Sequence, residues 1–265
     1  MIYLVLSLIL LNSMAENLAH AASLAGARMH RLMLANSVFN IVLLAAGLAM
    51  SVQAPLTASL VDSAVHAGDV DRVLWYCRAI ITARAIGYAV GMFLIPWFAR
   101  IIELGVWSME NNGGFLLHAM LEYLQPRNLR QMCSSFSVLT PSHIAAAFAE
   151  RFPRRVFVTA VSVAAFYSAV DMAALYVSGL SPQWTRTAIA LPTALRGFGT
   201  MLFVFLVDPF ASRIIDRSAT GELNISVTNH IVIWLSSGKT LGTVFAQFLF
   251  LPFTQLILLV IGGLS

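Results

Sequence analysis

Charge is what this chain of 265 residues lacks: Asp, Glu, Lys and Arg make up 11% of it, against roughly 25% in an average soluble domain. Sixteen basic and twelve acidic side chains cannot clothe a water-soluble globule of this length, so the missing solvent is expected to be lipid. Cysteine is scarce too. Cys77 and Cys133 make neither a disulfide framework nor a thiolate metal site. Lysine is nearly absent, with Lys239 standing alone beside fifteen arginines. A GC-rich genome gives that bias, and so does a phosphate ligand, which Arg grips with a planar two-pronged fork.

Catalytic spacings are also missing. There is no Ser–His pair, zinc-binding His-Glu-x-x-His or pair of membrane aspartates to support intramembrane proteolysis. Ser236-Ser237-Gly238-Lys239-Thr240 imitates the end of a phosphate loop, but Ile233 stands where its first glycine belongs. Glu16 and His20 at i,i+4 are too few ligands for a metal, and His30, His66, His118, His143 and His230 scatter near expected interfaces. No dinucleotide fingerprint, internal repeat or basic nucleic-acid arm is visible. The expectation is a protein that is not an enzyme and uses no cofactor or metal.

What is present is length of apolar sequence. A helix needs about 20 mostly apolar residues to cross a hydrocarbon core of roughly 30 Å. Six runs qualify: Ile2–Ala27, Leu32–Leu60, Val73–Phe98, Val156–Gly179, Ala188–Val207 and His230–Gly262. The fold class expected is therefore all-α, one polytopic membrane domain over residues 1–265 with about six transmembrane helices around a polar cavity. Pro252 predicts a kink or an interfacial tail in the last run. Between the third and fourth runs, Arg100–Arg155 mixes Glu103, Glu110 and Glu122 with apolar residues and reads as cytoplasmic and interfacial. Phe115–Leu124 is expected to lie on the membrane and Gln125–Thr140 to be a loop, with a re-entrant hairpin as the alternative. Tyr3–Leu11 imitates a signal peptide, yet no positive charge precedes it.

Counting arginines along alternating loops puts Arg28, Arg31, Arg100, Arg127, Arg130, Arg151, Arg154, Arg155, Arg213 and Arg217 on one side, and only Arg72 and Arg186 on the other. The positive-inside rule then predicts both termini external.

Ionisable side chains inside such runs cost several kcal/mol unless they face protein, water or a partner. Glu16 and His20, Arg78 and Arg84, Asp171, Arg196 and Lys239 are all inside, while Asp62 and Asp208 sit near run ends. Asn12, Glu16, His20 and Ser23 share one helical face. So do Asn36, Asn40, Gly47 and Ser51, then Arg84, Gly87, Tyr88 and Gly91, then Ser236, Thr240, Thr243 and Gln247. Such stripes either surround a polar chamber or serve as ordinary glue between membrane helices. Arg84, Arg196 and Lys239 outnumber the deep carboxylates Glu16 and Asp171, which predicts either a bound anion or mutual salt bridges. Arg78 is close enough to a run end to snorkel.

Leu24-Ala25-Gly26-Ala27-Arg28, Ser37-Val38-Phe39-Asn40-Ile41, Gln53-Ala54-Pro55-Leu56 and Val61-Asp62 resemble, in order and spacing, the first third of the Amj proteins, alternate lipid II flippases of bacteria. Arg84-Ala85-Ile86-Gly87 with Gly91 and Pro96, Phe205-Leu206-Val207-Asp208-Pro209 with Asp216, and Leu241-Gly242-Thr243 with Ala246, Gln247 and Pro252 are similar to the family's later blocks. Ala45-Ala46-Gly47-Leu48 and Asp171 depart from the family pattern. The resemblance implies a flippase moving undecaprenyl-diphosphate-linked disaccharide-pentapeptide, the peptidoglycan precursor, to the external leaflet. On that footing Arg28 and Arg31 receive the headgroup, Arg84, Arg196 and Lys239 hold the diphosphate, and Asn40 and Gln53 join the substrate contacts. Glu16, Asp62, Asp171 and Asp208 balance charge, and Glu16 could couple flipping to protons. Six helices are few for so large a cargo, which suggests a homodimer or a groove open to lipid. The other readings are a membrane interaction or regulatory protein, and a secondary transporter for a small anion.

Overall fold

In the computed structural model, residues 1–111, 132–149, 154–181, 201–202 and 205–262 are described, and they are helical with no strand among them. The helices are α1 (Ile2–Met29), α2 (Leu32–His66), α3 (Val70–Asn111), α4 (Pro141–Ala149), α5 (Arg154–Leu180), α6 (Asp208–Ala219) and α7 (Ile225–Gly262). Four of them, α1, α3, α5 and α7, are long and apolar enough to cross a membrane. They correspond to the first, third, fourth and sixth expected runs. The second run falls in α2, which continues for 35 residues. Most of the fifth run, with Arg196, lies outside the described residues, as do Phe115–Leu124 and Arg127, Arg130, Arg151 and Arg186.

The third helix departs from expectation. It does not stop near Phe98 but continues to Asn111, taking in Glu103 and Glu110, which composition had placed in a separate interfacial segment. The reason is pairing at the α1 end. Arg28 Nη1 meets Glu103 Oε1 at 3.1 Å and Arg31 Nε meets Glu110 Oε1 at 2.9 Å, so the carboxylates extend a helix rather than end it. Farther along, α4 is tied to α7 by Trp234 Nε1 donating to the Ala147 carbonyl at 2.9 Å.

Turn chemistry explains the reversals. Gly68 and Gly221 take positive φ after α2 and α6, where L side chains are strained. Asp69 Oδ1 then accepts from the Arg72 amide and Asn224 Oδ1 from the Ser226 amide, each capping the helix that follows. At the end of α1 the positive-φ residue is His30, held there by its ring contact with the Ala219 carbonyl of α6. Gly26 lets α2 fold back closely, since a Cβ there would come within 2.8 Å of the Leu32 Cα.

Two glycine pairs set the bundle. A Cβ on Gly87 or Gly91 would strike α1 at Leu10 and Ser13, or at Met14 and Asn17. One on Gly238 or Gly242 would press on α5 at Ala160, or at Val161 and Ala164. At Gly87, Gly91 and Gly242 backbones therefore meet where only hydrogen fits, the usual device of membrane helices. At the end holding the α1 N-terminus, Val5, Ile9, Val73, Cys77, Val177 and Phe250 belong to one buried apolar cluster. Arg28, Arg31, Arg100, Arg154, Arg155, Arg213 and Arg217 gather at the other end, around the close of α1 and α3 and the start of α5 and α7.

Candidate functional site: a polar belt below an arginine-rich mouth

Halfway along the bundle, the stripes of α1 and α3 meet. Asn12 Nδ2 donates to Glu16 Oε1 at 2.9 Å, and the Tyr88 hydroxyl donates to Glu16 Oε2 at 2.6 Å. Asn17 Nδ2 donates to the Tyr88 carbonyl at 2.7 Å, fixing the α3 backbone beside the glycine seam. From α7, Lys239 Nζ reaches the Glu16 backbone carbonyl at 3.4 Å. Its charge also feels the Glu16 and Asp208 carboxylates, and His20 lies within reach of that charge.

Arg84 completes the belt. It is 7% exposed, and its Nη2 donates to Asp171 Oδ2 on α5 at 3.1 Å. Its other terminal nitrogen, Nη1, is buried without a hydrogen-bond partner among the described residues. His20 Nε2 and Ser236 Oγ are buried in the same condition. Burying such polar atoms unpaired costs roughly 1–3 kcal/mol each, so the belt holds donors with capacity to spare. Chemically, a guanidinium fork with one prong unpaired among the described residues, and an ammonium whose hydrogen bond there is a long 3.4 Å contact, can take an anion.

Arg196, the third cation of the expected excess, lies outside the described residues. Among the described residues Arg84 and Lys239 face Glu16 and Asp171, with Asp208 in reach of Lys239, so no excess of positive charge is left uncompensated there. Asp171 lies 87 positions from Arg84, and only packing of α5 on α3 joins them. The Arg84–Asp171 contact is of the mutual kind that was the alternative to a bound anion.

At the arginine-rich end, a pocket of about 310 Å³ opens between α1, α3, α4 and α7, with largely apolar walls. Arg28, His143, Asn229 and His230 line it together with Leu24 and Ile95. Leu24 is one helical turn beyond His20, and Ile233 of the same pocket is three residues before Ser236, so the floor adjoins the belt. A more open recess holds Arg31, His30 and Asp216.

Other expected residues stand apart. Asn40 and Asp62 are exposed on α2, and Gln53 is partly buried there with its carbonyl taken by Thr57. The α2 stripe of Asn36, Asn40, Gly47 and Ser51 is exposed, and among the described residues nothing lies within 4 Å of where a Cβ on Gly47 would stand. On α7, Thr243 meets Ser168 at 3.3 Å and Gln247 donates to Thr82 at 2.9 Å, so that stripe is spread between α5 and α3 as helix glue. Arg78 is exposed and lies 5.9 Å from the Phe250 ring centre. Sequence reasoning missed His143 and His230 at the mouth. Their only signal was chemical type, because two histidines 87 residues apart share no periodicity.

A family model described as Amj, "Alternate to MurJ", matches residues 8–261. "Lipid II flippase Amj" of Bacillus subtilis (strain 168) is 26% identical over 245 residues, which is 92% of this chain and 90% of that protein. No solved structure matches the chain.

Proposed function

The chain belongs to the Amj family, and from that premise we propose that it translocates lipid II, an undecaprenyl-diphosphate-linked peptidoglycan precursor, across the inner membrane from the cytoplasmic leaflet. Burying a diphosphate in hydrocarbon is prohibitive, so the cargo needs polar groups at membrane depth. The observation that carries the site is the buried Arg84 fork, with one prong on Asp171 and the other unspent. Arg84 and Lys239 bind the diphosphate, and Arg196 joins them from outside the described residues. Asp171 and Glu16 balance these cations while the site is empty, with Asp208 in support. Arg28 and Arg31 hold the headgroup at the mouth, which faces the cytoplasm, and both termini face outward. The apolar walls of the pocket suit the first isoprenoid units, which need not leave an oily surrounding.

The deciding experiment follows labelled lipid II in vesicles containing only this protein. Arg84→Lys keeps a cation for Asp171 but loses the planar fork, and Lys239→Ala removes an ammonium whose hydrogen bond among the described residues is one 3.4 Å contact. Each is expected to lower translocation at least tenfold at unchanged abundance, and Arg84→Lys to do so at unchanged thermal stability. Wild-type rates in both variants would remove the belt from the mechanism. No translocation by the wild-type protein would remove the flippase reading itself and favour an interaction protein, in which the ion pair and glycine seams serve only assembly.

A further inference from the structure

The four long apolar helices separate into two pairs joined by different chemistry. α3 carries Gly87 and Gly91 four residues apart, and α7 carries Gly238 and Gly242 at the same spacing. Both seams have one geometry. The missing Cβ of Gly87, Gly91 or Gly242 would meet the carbonyl of one residue and the Cβ of the residue three further on: Leu10 and Ser13, Met14 and Asn17, Val161 and Ala164. Contacts advance together along both helices of each seam, so α1 runs parallel to α3 and α5 parallel to α7.

Between the pairs, the directions oppose. Ser237 of α7 meets Met92 of α3 while Gln247, later in α7, meets Thr82, earlier in α3. Likewise Asp171 of α5 meets Arg84, and the later Gly179 meets the earlier Val73. The second pair is the first turned over, in the same chain order. The repeat escapes sequence inspection because, besides the two glycines and the polar residue after the first of them, little persists but scattered apolar residues. Those polar residues are Tyr88 and Lys239, and both end on Glu16.

Within a pair, backbones touch through glycine and cannot slide without collision. The polar contacts between pairs run through side chains: Arg84 to Asp171, Lys239 to the Glu16 carbonyl, Gln247 to Thr82. Such contacts can be exchanged for a ligand. At the arginine-rich end the pairs part around the mouth pocket, with Leu24 and Ile95 on one wall and Val232 and Ile233 on the other. At the opposite end they close on the apolar cluster of Val73, Cys77, Val177 and Phe250.

The geometry points to an inverted-repeat rocker, in which α1–α3 and α5–α7 move as two rigid pairs about the polar belt, here open at the arginine-rich end and shut at the other. An arriving diphosphate draws Arg84 from Asp171 and Lys239 from Glu16, releasing the contacts that hold this state. For its ligand, the rocker rests on the lipid-diphosphate function proposed above.

Two disulfides separate its motions, in protein with Cys77→Ala and Cys133→Ser. Val73→Cys with Gly179→Cys bridges the pairs at the shut end, where a Cβ at 179 would lie 3.1 Å from Val73 Cγ1. That places the β-carbons within the roughly 3.5–4.5 Å a disulfide needs. Ser168→Cys with Thr243→Cys bridges within one pair, where the hydroxyls are 3.3 Å apart. Oxidation of the first is expected to lower lipid II translocation at least tenfold, with recovery on reduction, and oxidation of the second to leave it unchanged. Full translocation with the pairs bridged, or loss with the single pair bridged, overturns the rocker. If the first variant does not accumulate, Thr82→Cys with Gln247→Cys, joined by a short dithiol-reactive linker, replaces it under the same criteria.

Should the wild-type protein move no lipid II, the flippase reading fails and the rocker is judged separately, by maleimide labelling of His20→Cys from each side. Labelling from both sides, reduced to one by the bridge between pairs, supports it. One-sided labelling in the unbridged protein overturns it.

Discussion

At the scale of the residue, Arg84 and Asp171 pose a question of purpose that a pair of variants answers. Removing one partner of a buried ion pair leaves an uncompensated charge and costs about 3–5 kcal/mol, whereas neutralising both is often close to neutral. Asp171→Asn is therefore expected to lower thermal stability in detergent sharply, and Arg84→Gln combined with Asp171→Asn to recover most of it. The recovered protein should still fail to translocate lipid, because the fork is gone. A double variant both stable and active would assign the pair to packing alone. Glu16 is placed differently. Its two oxygens accept from Asn12 and Tyr88 while its backbone carbonyl receives Lys239, so one residue links α1 to α3 and α7.

At the scale of the element, the glycines are not equivalent. Gly91→Leu would force a branched side chain into the Met14 carbonyl, already 2.7 Å from where its first carbon would stand. Overpacking costs typically 1–3 kcal/mol, and here backbone must move, so a loss of at least about 2 kcal/mol is expected in a detergent unfolding assay. Gly47→Ala meets nothing among the described residues, and it should stabilise α2 by up to about 1 kcal/mol through helix propensity. Equal effects at the two positions would contradict the seam. The motif around Gly238 shows why spacing alone misleads: its residues look like a truncated phosphate loop, but Gly238 sits in mid-helix against Ala160.

At the scale of the whole molecule, the arginine asymmetry predicts orientation. Ala67 and Glu222 occupy turns at opposite ends of the bundle and are exposed. In protein lacking Cys77 and Cys133, a cysteine at Ala67 should react with impermeant maleimide from outside intact cells, and one at Glu222 only after permeabilisation. The reverse pattern would turn the mouth outward and contradict export from the cytoplasmic leaflet.

Composition and periodicity were enough to establish a helical membrane protein, the approximate places of the five longest helices described, and which residues break the apolar pattern, because each depends on neighbours within a few turns; the short α4 and α6 were not among them. Short blocks such as Arg84-Ala85-Ile86-Gly87 also carried the family. What joins what was decided only by packing. The 87 residues between Arg84 and Asp171, and the 223 between Glu16 and Lys239, leave no local trace of a shared site. The carboxylates that extend α3 and the inverted arrangement of the glycine seams were hidden likewise, since a membrane helix reveals its apolar length in sequence but chooses its partners by shape and by the charges brought to face it.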